Sequence, residues 1–202
     1  MPKLDPEKWS TNRDEIVAVA FKLFAQKGYS RVSVNEIIKE VGISKGCFYT
    51  YFASKQEVFF AIVENSDSSK ATLATKLISA PSPSQRMAEY IGIRLSNFLN
   101  ENHVQWVKFA SEFWATVDFT DEMTVLNQKR YLAFSEDIKG IIEDGIKLGH
   151  FKKTLKVDAF IYVLICLING VANIAAVMQH PLDEEKIEVA IDMVNNYLME
   201  SF

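Results

Sequence analysis

The stretch that decides the fold is SVNEIIKEVGISKGCFYTYFASK, residues 33–55. It reads as two short helices around a tight turn. Ser33 and Glu36 stand three apart, the spacing of a reciprocal capping box that satisfies two orphan backbone donors. Val34, Ile37, Ile38 and Val41 follow at i, i+3, i+4 and i+7, one apolar stripe on a helix. Gly42 lies just past that stripe, where a glycine takes the left-handed conformation that closes a helix. Ser44 caps a second helix, in which Phe48 and Phe52 alone are spaced as core anchors. Lys45, Gly46, Cys47, Tyr49 and Tyr51 are left for other faces. A helix that spends so few residues on packing is either marginal or used for contact. A helix-turn-helix that reads DNA sets its second helix in the major groove, N-terminal residues first. Two capped helices also occur in purely structural hairpins, so both readings stand on these residues alone.

The run from Gly42 to Phe52, followed by Ser54, Lys55, Gln56, Glu57, Val58 and Phe59, resembles the DNA-binding signature of the TetR family of transcriptional regulators. Upstream, Ile16, Ala20, Leu23, Phe24, Gly28 and Tyr29 stand where that family has its first helix and the turn after it. Cys47 departs from the pattern, which commonly has Thr, Ser or Ala there. The resemblance covers the first sixty residues. It implies an all-α chain: an N-terminal three-helix helix-turn-helix domain (1–55) joined by a long helix to a larger effector-binding and dimerisation bundle (56–202). It also implies that Tyr49, Tyr51 and Lys55 contact phosphate.

The chemistry of these side chains agrees. Specific recognition needs phosphate contacts for position and base contacts for sequence. Lys45, Gly46 and Cys47 open the short helix: the ammonium can donate to guanine acceptors, and glycine allows close backbone approach. Lys55, Ser33 and Ser44 stand at helix starts, where amide dipoles favour an anion; for the two serines a plain cap is an equal reading. Lys3, Lys8, Arg13 and Arg31 read either as an arm toward the backbone or as ordinary solvated charges.

Charge is split along the chain. The 202 residues carry a formal net charge of -4. Residues 1–60 hold nine Lys/Arg against seven Asp/Glu, hence +2, and the remainder thirteen against nineteen, hence −6. The DNA-facing work therefore belongs to the N-terminal part, although +2 is a weak basic footprint. Two distant cysteines, Cys47 and Cys166, and a polar run from Pro2 to Asp14 point to a reducing, cytoplasmic setting. Cys47 reads as a small residue facing a groove, with a redox-sensing thiol as the alternative. The charge-free run from Ala159 to Met178 is about long enough to span a bilayer. It contains Asn169, Gly170 and Asn173 and lacks a basic flank, so it reads as a core or interface helix.

Nearly all of the chain reads as helix. The expected segments are one from residues 11 or 12 to 27, a long helix from Ser54 to about Ser79, then 85–100, 104–117, 120–148, 157–179 and 183–201. The break at Ala80-Pro81-Ser82-Pro83-Ser84 follows from its two prolines. The last two helices offer more apolar surface than one bundle needs, and Gly170, Ala172, Ala175 and Ala176 permit close approach. A homodimer through them would place two heads on half-sites of a palindromic operator.

Between Phe98 and Phe119 the chain is dense in aromatics. Trp106, Phe109, Ala110, Phe113 and Val117 share one face of the helix at 104–117, with Val107 and Trp114 at its flank. A plain core stripe is one reading. The other is an effector pocket, completed by Phe98, Phe134, Tyr162 and Asn169, for an apolar or aromatic small molecule that weakens operator binding. His103, His150 and His180 show no metal-ligand spacing, and no catalytic motif or cofactor loop occurs. The expectation is a regulator, not an enzyme, without metal or cofactor. The alternatives are a helical interaction protein and an activator without small-molecule control.

Overall fold

A computed structural model describes residues 6–66, 80–117 and 120–199 of the chain. Among the described residues every regular element is helical. In order they are α1 (Pro6–Lys27), α2 (Val34–Val41), α3 (Lys45–Tyr51), α4 (Lys55–Ser66), α5 (Pro83–Ser96), α6 (Glu101–Thr116), α7 (Asp121–Lys147), α8 (Val157–Ala176) and α9 (Glu184–Leu198). The expected continuation of α4 to Ser79, and Lys3, lie outside the described residues.

Local chemistry sets the ends. Ser33 Oγ accepts the Glu36 N–H at 3.2 Å while Glu36 Oε2 accepts the Ser33 N–H at 3.3 Å, so the capping box closes both ways. Gly42 sits at φ 78°, the left-handed closure expected of it. Helix α1 begins at Pro6, earlier than expected, because proline is tolerated in a first turn that has no partner for its amide anyway. For the same reason Pro83 opens α5 instead of delaying it, with Ser82 Oγ accepting the Gln85 N–H. Helix α9 starts as read, on Asp183, and ends at Leu198.

Two compact units form. The first comprises Met1–Lys70 with Lys108–Thr116, and the second Ala71–Val107 with Val117–Phe202. Helix α4, which follows the boundary expected at residue 55, falls in the first unit. Val58, Phe59 and Ile62 of α4 are buried there with Ile16, Ala20 and Phe24 of α1 and Phe48 and Phe52 around α3. The C-terminal part of α6 joins the same core: Phe113 stacks on Phe59 at 3.6 Å, and Phe109 lies 5.8 Å from Phe24. Burying rings of this size is the dominant favourable term in such a core, roughly 2–3 kcal/mol for each fully covered phenylalanine.

The second unit packs α5 against α7, α8 and α9. Its core contains Met87, Tyr90, Ile91 and Leu95 of α5, Ile138 and Ile142 of α7, Leu164 of α8 and Val194 and Leu198 of α9. Gly145 is required by a close approach. A Cβ there would lie 2.0 Å from the Phe151 ring, which folds back over the end of α7.

Candidate nucleic-acid interface

Helix α3 divides its faces as its sequence suggests. Phe48 and Phe52 are buried, while Lys45, Gly46, Tyr49 and Thr50 are exposed and Cys47 and Tyr51 half-buried. Ser44 Oγ accepts the Cys47 N–H at 3.1 Å, which fixes the first turn and presents Lys45 and Gly46 at its outer edge. The Phe48 ring meets Tyr49 edge-on at 5.4 Å, so the buried ring also orients the exposed phenol. Tyr51 OH accepts from Asn12 Nδ2 at 3.2 Å, tying α3 to α1. The serine hydroxyls at 33 and 44 accept from the backbone and keep a donor for a phosphate oxygen.

Lys55 is a different case from the one the resemblance implies. Its ammonium does not reach outward: Nζ donates to the carbonyls of Tyr29 and Val32, both at 2.9 Å, and lies 4.1 Å from the Tyr29 ring centroid. Burial pulls its pKa below the usual lysine range, partly offset by the Glu112 carboxylate. Two of three donors are spent on the α1–α2 turn, so Lys55 acts here as a staple within the head. Tyr29, between these groups, has its phenol pushed up to about 12 by burial.

Glu112 holds the same turn from the other side. Its carboxylate accepts the Tyr29 and Ser30 N–H groups, each at 3.0 Å. Burial alone would raise its pKa, but the hydrogen bonds from Ser30 and Tyr29, with Arg31, hold the carboxyl below the usual range. Sequence reading missed this residue, because its partners lie 82 and 83 positions away and nothing local marks it. Lys27 pairs with Glu36, and Arg13 approaches Glu64 at 3.9 Å, so two further cations of the head face acids.

The eight residues expected to line an effector pocket are divided between the two units. Phe109 and Phe113 are core rings of the first unit, and Trp114 stands edge-on to Phe59 at 5.8 Å. Phe98 and Trp106 belong to the second unit, where both are half-buried. Tyr162 is 61% exposed on α8, and the exposed Asn169 amide donates to the Ile165 carbonyl. Phe134 is half-buried beneath the Arg94 guanidinium. The helical stripe was real, but rings that share a helix face pack against whichever neighbour can bury them.

A capped two-helix hairpin with a buried aromatic pair and an exposed N-terminal edge has the geometry of a helix-turn-helix. Residues 16–62 match the family model described as bacterial regulatory proteins, tetR family. The chain is 24% identical over 189 residues to YfiR of Bacillus subtilis, an uncharacterised HTH-type transcriptional regulator, covering 94% of this chain and 90% of that protein. It is 54% identical over 48 residues to a second such regulator of that species, YuxN, covering 24% of this chain and 16% of that one. The fold is similar to that of the MbdR regulator from Azoarcus, with a TM-score of 0.71 at 15% identity over 94% of this chain and 100% of that chain. Residues 16–62 thus resemble the DNA-binding part of the tetR family of bacterial regulatory proteins, and the likeness to YfiR runs over nearly the whole chain. The chain is a DNA-binding transcriptional regulator and not an enzyme.

Proposed function

We propose that the chain is a cytoplasmic homodimeric repressor that sits on a palindromic operator and is released by a small-molecule effector bound in the second unit. The observation that carries the dimer is an uncovered apolar face on α8 and α9. Helix α8 is the one described helix apolar and long enough to cross a membrane, with mean hydropathy 2.1, yet only 33% of that stretch is buried within the chain. Tyr162, Val163 and Ile174 on α8 and Val177 at its end are exposed, and on α9 Val189, Met193 and Tyr197 are exposed at spacings of four. Soluble monomers rarely leave so much contiguous apolar surface to water. Gly170 supports the same reading: a Cβ there would meet nothing of this chain, so its own fold does not require glycine mid-helix.

A two-fold dimer presents two identical heads, and the operator then mirrors that symmetry. In this reading Ser33, Ser44, Tyr49 and Tyr51 hold phosphates, while Lys45, Gly46 and Cys47 face base edges. Effector binding weakens the complex to the extent that the effector prefers the conformation that DNA does not. The test is sedimentation of the purified chain followed by a mobility shift on DNA from beside its own gene. A dimer that retards this DNA and is released by a cognate small molecule is expected. A monomeric mass at micromolar concentration, or no sequence preference over bulk DNA, would overturn the proposal.

A further inference from the structure

Arg94 of α5 is a largely enclosed guanidinium whose donors the second unit leaves partly unmet. Its side chain is only 12% exposed, and Nε and Nη2 are shut off from solvent without a hydrogen-bond acceptor. The carboxylate of Asp137 on α7 stands 3.9 Å from Nη2, beyond hydrogen-bond distance, and is itself 42% exposed. Tyr90 draws on the same guanidinium, which partly offsets the upward push of burial on its phenol. That contact leaves Nε and Nη2 unmet. The flat faces are covered by rings, Phe134 at 4.4 Å and Tyr90 at 5.2 Å. Aromatic faces attract a cation but supply no acceptor for its in-plane donors. A guanidinium held this way lacks a planar, bidentate anion in its own plane.

Along α7, on the helix that carries Phe134, runs a groove of about 590 Å³ lined by Thr124, Asn127, Gln128, Tyr131 and Leu132. Asn127, Tyr131, Phe134 and the buried Ile138 follow at i, i+4, i+7 and i+11, so the groove continues along the helix stripe that carries the ring over Arg94. From Thr124 to Phe134 is about 15 Å of helix, room for an extended apolar body. Two side-chain amides, the Thr124 hydroxyl and a phenol are the polar groups along it.

We infer that the effector is a monocarboxylate with an apolar or aryl body, its carboxylate paired with Arg94 and its body laid along the groove of α7. The carboxylate reaches the guanidinium by displacing the Phe134 ring that covers it. This inference rests on the effector-controlled reading above and narrows its ligand class.

The purified full-length chain is titrated with octanoate and 4-phenylbutanoate, and in parallel with octanamide and 4-phenylbutanamide. Thermal unfolding midpoint and the arginine Nε–H resonances are followed. The acids are expected to raise the midpoint saturably and to shift one Nε–H resonance, the one absent from Arg94→Lys. Arg94→Met should bind the acids about tenfold more weakly or worse, the loss expected for one charged pair, with the amides unaffected. Equal response to acids and amides, no response to any probe, or an acid preference that survives Arg94→Met overturns the inference. Should Arg94→Met fail to unfold cooperatively, an acid titration that moves no Nε–H resonance of the unsubstituted chain overturns it alone. The two readings fail separately. A neutral amide that releases operator DNA leaves effector control standing and removes the carboxylate. An acid that binds through Arg94 without releasing DNA does the reverse.

Discussion

Replacing Glu112 with alanine tests whether α6 holds the DNA-reading head in shape. The substitution removes two charge-assisted hydrogen bonds of 3.0 Å to the amides of Tyr29 and Ser30. A bond to a charged group is worth about 1.5–3 kcal/mol when its donor is cut off from water. Tyr29 N–H is part-buried and takes that figure, whereas the exposed Ser30 N–H regains water and contributes a few tenths. The sum is about 2 kcal/mol, localised to the α1–α2 turn because Phe109 and Phe113 keep α6 docked. Read as amide exchange, this is roughly a 30-fold acceleration at Tyr29 and much less at Ser30. The pH dependence has a definite sign. The folded carboxyl is held below its ordinary value of 4.5, so its contribution is complete above that pH and is lost as pH falls through the lowered value. The gap between the unsubstituted chain and Glu112→Ala should therefore be constant from about pH 7 to pH 5 and close below the ordinary carboxylate range. Tyr29 exchange within threefold of the unsubstituted chain at pH 7, or a gap that ignores acid, refutes the clamp.

Lys55→Met keeps the aliphatic stem but loses both carbonyl bonds; it should cost about 1–3 kcal/mol of stability and leave the slope of log affinity against log salt unchanged. Lys45→Ala should do the reverse, weakening operator binding by about 1–3 kcal/mol and relaxing its sequence preference, with little effect on melting. A fall in slope from Lys55→Met would return that residue to the DNA surface. Gly145→Ala forces a Cβ to 2.0 Å from the Phe151 ring and should cost about 1–3 kcal/mol, seen as a lower thermal midpoint; an unchanged midpoint would show that the ring yields freely. The double variant Val163→Asp, Met193→Asp should sediment as a folded monomer by circular dichroism, since both positions are exposed within the chain; a dimer that persists would place the contact elsewhere.

What was legible in the sequence was local. Caps at Ser33, Ser44 and Asp183, the left-handed Gly42 and the Phe48–Phe52 pair all bond or pack within a few residues, and each appears where spacing put it. Helix ends were shifted wherever proline could serve as a first residue, at Pro6 and Pro83. Partners across long separations could not be read. Periodicity shows that Phe109 and Phe113 share a face but not that Phe24 and Phe59 await them. Lysine at position 55 looks like a phosphate ligand until the carbonyls of Tyr29 and Val32 are seen around it. The largely enclosed charge at Arg94 escaped notice because nothing in its neighbourhood of sequence distinguishes it from a surface arginine of α5.

The inward turn of Lys55 bears on why one head would not suffice. Residues 1–60 contain nine Lys/Arg in all. Of these Lys55 is bonded to backbone carbonyls, Lys27 pairs with Glu36, and Arg13 approaches Glu64. Each phosphate neutralised adds a fixed increment to the salt dependence of binding, so a head with few outward cations binds weakly at physiological salt. Two heads double the number of phosphates neutralised and so double the slope. If the proposed dimer forms, splitting it through Val163 and Met193, both remote in sequence from α3, should therefore cut the salt slope of operator binding by about half while leaving the head folded. A monomeric variant that kept the full slope would mean that cations outside the head meet the DNA, and the division of labour between the two units would have to be redrawn.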